Sequence, residues 1–207
     1  MRTTDRKRSD AKLDQAVDLF WDRGYYDVSV DELVHRTGLH RAAVYGEFGS
    51  RQRLFEASLR RYRERVVAAF FAELERPEAG LAAIERFFST ILRAAVRPKK
   101  RIGCLMINTA SEVSPNIRSV AHIVSSYLDD LRARFQHACI NARARGEIRR
   151  GVDVDQVADY LLGSVLGFWT LARSPASTST LRHYVQGVLT FVDGLRSRSD
   201  DTRALRG

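Results

Sequence analysis

The residues best placed to do chemistry in this 207-residue chain lie between Ser29 and Leu54. His40, Arg41, Ala42, Tyr45 and Glu47 share the outward side of a short helical stretch, while Val44 and the preceding Leu39 are spaced to pack inward. Arg41 offers a planar guanidinium suited to a bidentate contact with guanine, and Ala42 and Ala43 permit close approach to a thymine methyl. Tyr45 has two readings from the residues alone: a hydroxyl donated to phosphate, or a partly buried core aromatic. Arg51, at the start of the following helix, is placed to contact phosphate with help from that helix's N-terminus.

Those side chains need a rigid frame, and the flanking sequence writes one. Ser29 caps a helix starting at Val30, with Glu32 three residues on and Val28 and Leu33 available as a staple. Thr37-Gly38 ends it, because glycine closes a helix in the left-handed conformation without steric cost. A second short helix runs from near His40 to Glu47, and Ser50 caps the next one. A short helix, a glycine turn and a second short helix with outward polar residues is the plan of a helix-turn-helix, whose second helix enters the DNA major groove. Ser29, Thr37, His40, Arg41, Ala42, Tyr45 and Arg51 form the expected DNA-binding set.

At this spacing Leu19-Phe20, Gly24-Tyr25, Ser29-Val30, Thr37-Gly38-Leu39, Val44-Tyr45 to Phe48, Ser50-Arg51 and Leu54-Phe55 together resemble the TetR-type bacterial transcriptional regulators. The resemblance favours the phosphate role for Tyr45. The chain departs from the family pattern in three places: His40 replaces a Ser or Thr cap, Glu47 a His, and Arg51 a Lys. Glu47 would repel phosphate and is better turned toward Arg51, Arg53 or a cytosine amino group. His40 has cap, base and phosphate contact all open to it.

The net charge of +9 favours a polyanionic partner. No run of about eighteen apolar residues marks a membrane span, and no apolar region follows the charged N-terminus to make a signal peptide; the expected location is cytoplasmic. Cys104 and Cys139 lie far apart without a CxxC, so neither disulfide framework nor metal site is indicated, and no cofactor is expected. The histidines form no HExxH pair and there is no GxSxG elbow or phosphate-cradling loop, which argues against an enzyme.

Helical spacing continues to the C-terminus without strand alternation, giving an all-α fold of about nine helices. A first helix spans about Ser9 to Arg23, behind a basic arm in which Arg2, Arg6, Lys7 and Arg8 are candidates for further DNA contacts. One long helix from Ser50 to about Arg76 is the expected lever. Further helices run over Glu78 to Val96, Gly103 to Val113, Asn116 to Arg145, Asp153 to Arg173 and Leu181 to Arg196, with a loop at Ser174 to Thr180. The expected division is 1–50 for DNA binding, 51–198 for effector binding and dimerisation, and 199–207 as a tail.

The resemblance implies a homodimer on double-stranded operator DNA, most often a repressor, responding to a small-molecule effector not named by the sequence. The two C-terminal helices would pair with their copies through Leu162, Gly163, Leu166, Gly167, Val185, Leu189 and Val192. Phe87, Phe88, Ile91, Cys104, Met106, Tyr127, Phe168 and Trp169 are the effector candidates, although each also fits a plain core. GCLMIN followed by Glu112 is similar to a subgroup with a recurrent Cys at this place. That gives an alternative, electrophile or redox sensing by Cys104, with Lys99, Lys100 and Arg101 available to lower its pKa. A second alternative is nonspecific DNA coating.

Overall fold

A computed structural model describes residues 3–38, 40–97 and 103–197, apart from the side chains of 3–9 and of Ala43. Its helices are α1 (Thr3–Arg23), α2 (Val30–Thr37), α3 (Arg41–Glu47), α4 (Arg51–Tyr62), a π-helical stretch (Arg63–Val67), α5 (Ala68–Phe71), α6 (Leu81–Val96), α7 (Leu105–Glu112), α8 (Arg118–Ala144), α9 (Val154–Arg173) and α10 (Thr178–Asp193). Counting α4, the π stretch and α5 as one continuous run leaves nine helical rods among the described residues. They contain no strand; Ile148 and Arg196 form an isolated antiparallel bridge. None of these helices is long and apolar enough to cross a membrane.

The helix ends follow local chemistry. Ser29 Oγ accepts the Glu32 amide at 3.1 Å, and Gly38 closes α2 at φ 60°. Glu32 adds a salt bridge from its carboxylate to Arg23 at 3.1 Å. Ser50 Oγ accepts the Arg53 amide at 3.1 Å, and Asp153 caps α9 through the amides of Asp155 and Gln156.

Four expectations need correction. First, α1 begins at Thr3 rather than near Ser9; Arg2 and the side chains of Arg6, Lys7 and Arg8 lie outside the described residues, as do Leu39, Lys99, Lys100, Arg101 and the tail from 198. Second, the expected lever is interrupted by the π stretch and ends at Phe71, because the chain then turns, with Leu74 and Glu75 both donating to the Phe71 carbonyl. Third, α6 starts at Leu81 rather than Glu78, Gly80 being its cap. Fourth, α10 starts at Thr178, inside the expected loop, because the Ser177 hydroxyl accepts the Thr180 amide at 3.0 Å and nucleates the helix there.

Two compact units emerge, each with its own core. The first gathers Met1–Ala68 and Ile102–Tyr127, so α4, α7 and the beginning of α8 pack together with the helix-turn-helix. The packing units thus differ from the expected division at residue 50. Phe20, Tyr25 and Phe55 form a ring cluster, with Phe20 and Phe55 edge to face at 4.9 Å, and Val28, Leu33, Val44 and Leu54 are fully buried around it. Each such side chain contributes about 1.5–3 kcal/mol from burial, which holds the short α2 and α3 to the longer α1 and α4. Without that tertiary packing, helices of eight and seven residues would be unstable alone.

The second unit gathers Ala69–Arg101 and Leu128–Gly207. Here α6 and α9 both pack on α10. Its core centres on Phe87, Phe88 and Phe135, with Phe88 and Phe135 stacked at 6.0 Å and Phe87 edge-on to Phe135 at 5.3 Å.

Candidate nucleic-acid interface

Of the residues of α3, Val44 is turned fully inward, while Arg41, Ala42, Tyr45 and Glu47 are exposed. At 51% exposure, Tyr45 is no core aromatic, and its hydroxyl is free to meet a phosphate from this face. His40 occupies the α3 cap position but makes no side-chain cap hydrogen bond, which removes one of its three readings. The Arg41 guanidinium pairs with the Asp31 carboxylate on α2.

Two members of the expected DNA-binding set are committed elsewhere. Thr37 is buried, and its hydroxyl donates to the Leu33 carbonyl at 2.6 Å; it closes α2 rather than facing solvent. Arg51 turns inward: Nη1 donates to the carbonyls of Tyr25 and Val28, both at 2.7 Å. Its guanidinium also lies 4.1 Å from the Tyr25 ring centroid. Nη1 thereby satisfies two loop carbonyls, because the α1–α2 turn leaves those acceptors facing α4.

Glu112, at the end of α7, clasps the same turn from its amide side. Its Oε1 accepts the Tyr25 amide at 3.0 Å and the Tyr26 amide at 3.5 Å. A Cβ on Gly24, which sits at φ +86°, would fall 2.6 Å from that oxygen; hence glycine is required there for both backbone and space. Asn116 donates to the Tyr26 hydroxyl at 3.3 Å, and Trp21 Nε1 donates to the Gly103 carbonyl at 3.0 Å. The clasp was missed in the sequence because residues 87 positions apart carry no local signal; the one hint was Glu112 following GCLMIN.

The effector candidates are drawn from both packing units. Cys104, Met106 and Tyr127 belong to the first unit, and Phe87, Phe88, Ile91, Phe168 and Trp169 to the second. All eight are buried. The Tyr62 hydroxyl, overlooked in the sequence, donates to Cys104 Sγ at 3.6 Å, and Tyr127 hydrogen-bonds the same sulfur. Burial pushes the Cys104 thiol up, and burial first, then the neighbouring sulfur, pushes both tyrosines well up. This is the reverse of the activation expected from nearby basic residues, so sensing by Cys104 is not favoured.

The expected dimer residues also divide. Val185 and Val192 are buried within the protomer and belong to its core. Gly167 is occupied from inside, since a Cβ there would meet the Tyr184 hydroxyl at 2.5 Å. By contrast Gly163 and Gly187 have open space where a Cβ would lie; with Tyr160, Ser164, His183 and Tyr184 they line a groove of about 500 Å³ on α9 and α10. Leu162, Leu166 and Leu189 are half-buried.

Comparison with known proteins agrees with this architecture. The family model for bacterial regulatory proteins of the tetR family matches residues 13–58, and the model for the tetracyclin repressor-like C-terminal domain matches residues 80–188. The HTH-type transcriptional repressor ComR of Escherichia coli (strain K12) is 33% identical over 173 residues, covering 83% of this chain and 82% of ComR. A TetR transcriptional regulator from Chloroflexus aurantiacus J-10-FL has a TM-score of 0.79 at 27% identity, over 90% of this chain and 96% of that one. A cysteine-substituted CifR regulator complexed with 26-base-pair operator DNA shares the fold at a TM-score of 0.78, with 20% identity over 87% of this chain and 95% of its own. With both halves of the chain matched and the helix-turn-helix built as described, the protein belongs to the TetR family of bacterial transcriptional regulators.

Proposed function

We propose that the protein is a transcriptional repressor that binds a palindromic operator as a homodimer and is released by a small molecule. The observation that carries this reading is the exposed face of α3, where Arg41, Ala42 and Tyr45 stand on a helix fixed from beneath by Val44. Arg41 reads a guanine edge, Ala42 sits against a neighbouring base, and Tyr45 anchors phosphate.

Dimerisation uses the outer faces of α9 and α10, through Leu162, Gly163, Leu166 and Leu189 together with Tyr160 and Gly187. Two-fold symmetry then places two copies of α3 on half-sites about one DNA turn apart, roughly 34 Å. Effector binding among the C-terminal helices changes that separation, and a ligand releases the operator only to the extent that it prefers the changed state. Residues 1–50 carry the DNA contacts and 51–198 the effector and dimer functions.

Selection of bound duplexes from a random pool tests the reading. An enriched inverted repeat is expected; a pool that stays random after successive rounds contradicts it.

A further inference from the structure

We propose that Asp31 is a specificity-determining positioning residue, which orients the Arg41 guanidinium for base readout. This rests on the assignment of Arg41 to a base contact. Asp31 is the second residue of α2 and Arg41 the first of α3, and an ion pair between Asp31 Oδ1 and Arg41 Nη2 spans the turn.

Stability does not account for the pair. The two side chains are 72% and 61% exposed respectively, and exposed pairs of this kind add little to folding. Nor does α2 depend on Asp31 for acid near its N-terminus, since Glu32 is there too and is paired with Arg23. A carboxylate beside a DNA-facing helix weakens attraction to phosphate, so its value lies in direction rather than affinity. An unanchored arginine samples many rotamers. Held at Nη2, the planar fork keeps its remaining N–H groups for a guanine edge, and the ordering is complete before DNA arrives.

The test measures affinities for the selected operator, for each single base-pair substitution of it, and for a random duplex. It uses the full-length wild type, Asp31→Asn, Asp31→Ala and Arg41→Ala. Arg41→Ala should flatten discrimination at one G·C pair per half-site, by roughly 5- to 150-fold. Both Asp31 variants should flatten the same pair several-fold and no other, while binding the random duplex more tightly because a negative charge has gone. If the Asp31 variants bind every duplex more tightly by one common factor, with base preferences intact, the carboxylate acts only as a repulsive charge and the inference is overturned. If Arg41→Ala itself leaves all base preferences intact, the assignment of Arg41 fails first and takes the inference with it.

Discussion

Glu112 and Tyr25, 87 positions apart in the chain, meet through a carboxylate that accepts the Tyr25 amide at 3.0 Å. The contact ties α7 to the turn that launches α2. Arg51 holds the other side of that turn by its carbonyls, so the orientation of the helix-turn-helix is set by one acid and one base from outside it. Glu112→Ala should destabilise the protein by about 1–3 kcal/mol in urea unfolding, as expected when a partly buried amide loses a charged acceptor. Gly24→Ala should cost a similar amount or more, and the double variant should cost less than the sum, because removing Glu112 makes room for the new methyl. Strict additivity would show that the two positions do not share this space.

Arg51 gives a second test. If its role is to satisfy the Tyr25 and Val28 carbonyls, Arg51→Ala lowers stability by about 2 kcal/mol and weakens binding to all duplexes alike. Arg51→Lys restores charge but not the forked guanidinium over the Tyr25 ring, and should recover only part of the stability. A full-stability Arg51→Ala variant with reduced DNA affinity would instead mark a phosphate ligand.

Arg61 on α4 holds Asp14 on α1 by a hydrogen bond at 2.8 Å, and that bond draws the Asp14 carboxyl below its ordinary range. A depressed folded pKa contributes stability above the unfolded value, about 3.9, and the contribution is lost as pH falls through the folded value. The two side chains are a little over a quarter exposed, so Asp14→Asn should cost no more than about 1 kcal/mol near neutral pH. The gap between wild type and variant should shrink below about pH 4. A gap that grows on acidification would contradict the assignment.

The Cys104 thiol is buried and pushed up, and Cys139, also buried, is pushed up to about 11. Both should resist a brief exposure to iodoacetamide at neutral pH in the native protein and react fully in urea, as read by mass spectrometry. Rapid native labelling of Cys104 would revive the sensing role.

What the sequence made legible was whatever depends on neighbours within a turn or two. Ser29, Gly38, Ser50 and Asp153 do locally what their types dictate, and α2 and α3 begin or end within a residue of expectation for that reason. The Ser177 cap was equally local but was hidden among other loop-forming residues. The internal hydrogen bonds of Arg51 and Thr37 were not legible, because a type suited to DNA contact is also suited to internal hydrogen bonding and only the tertiary packing shows the second. Val185 and Val192 misled for a related reason: apolar residues on a helix can face the protomer's core or a partner, and periodicity alone does not say which. The division of the effector candidates between two units was beyond reach of a linear reading, since α7 and the start of α8 join the first unit across a long gap in sequence.

Competition at physiological salt decides whether α3 recognises its operator by sequence. Labelled selected operator, bound to the protein, is challenged with the same operator and with a random duplex of equal length. The random duplex should compete at least about a thousandfold less well, and Arg41→Ala should narrow the gap. Equal competition by the random duplex would contradict such recognition and leave a nonspecific DNA-binding protein in its place.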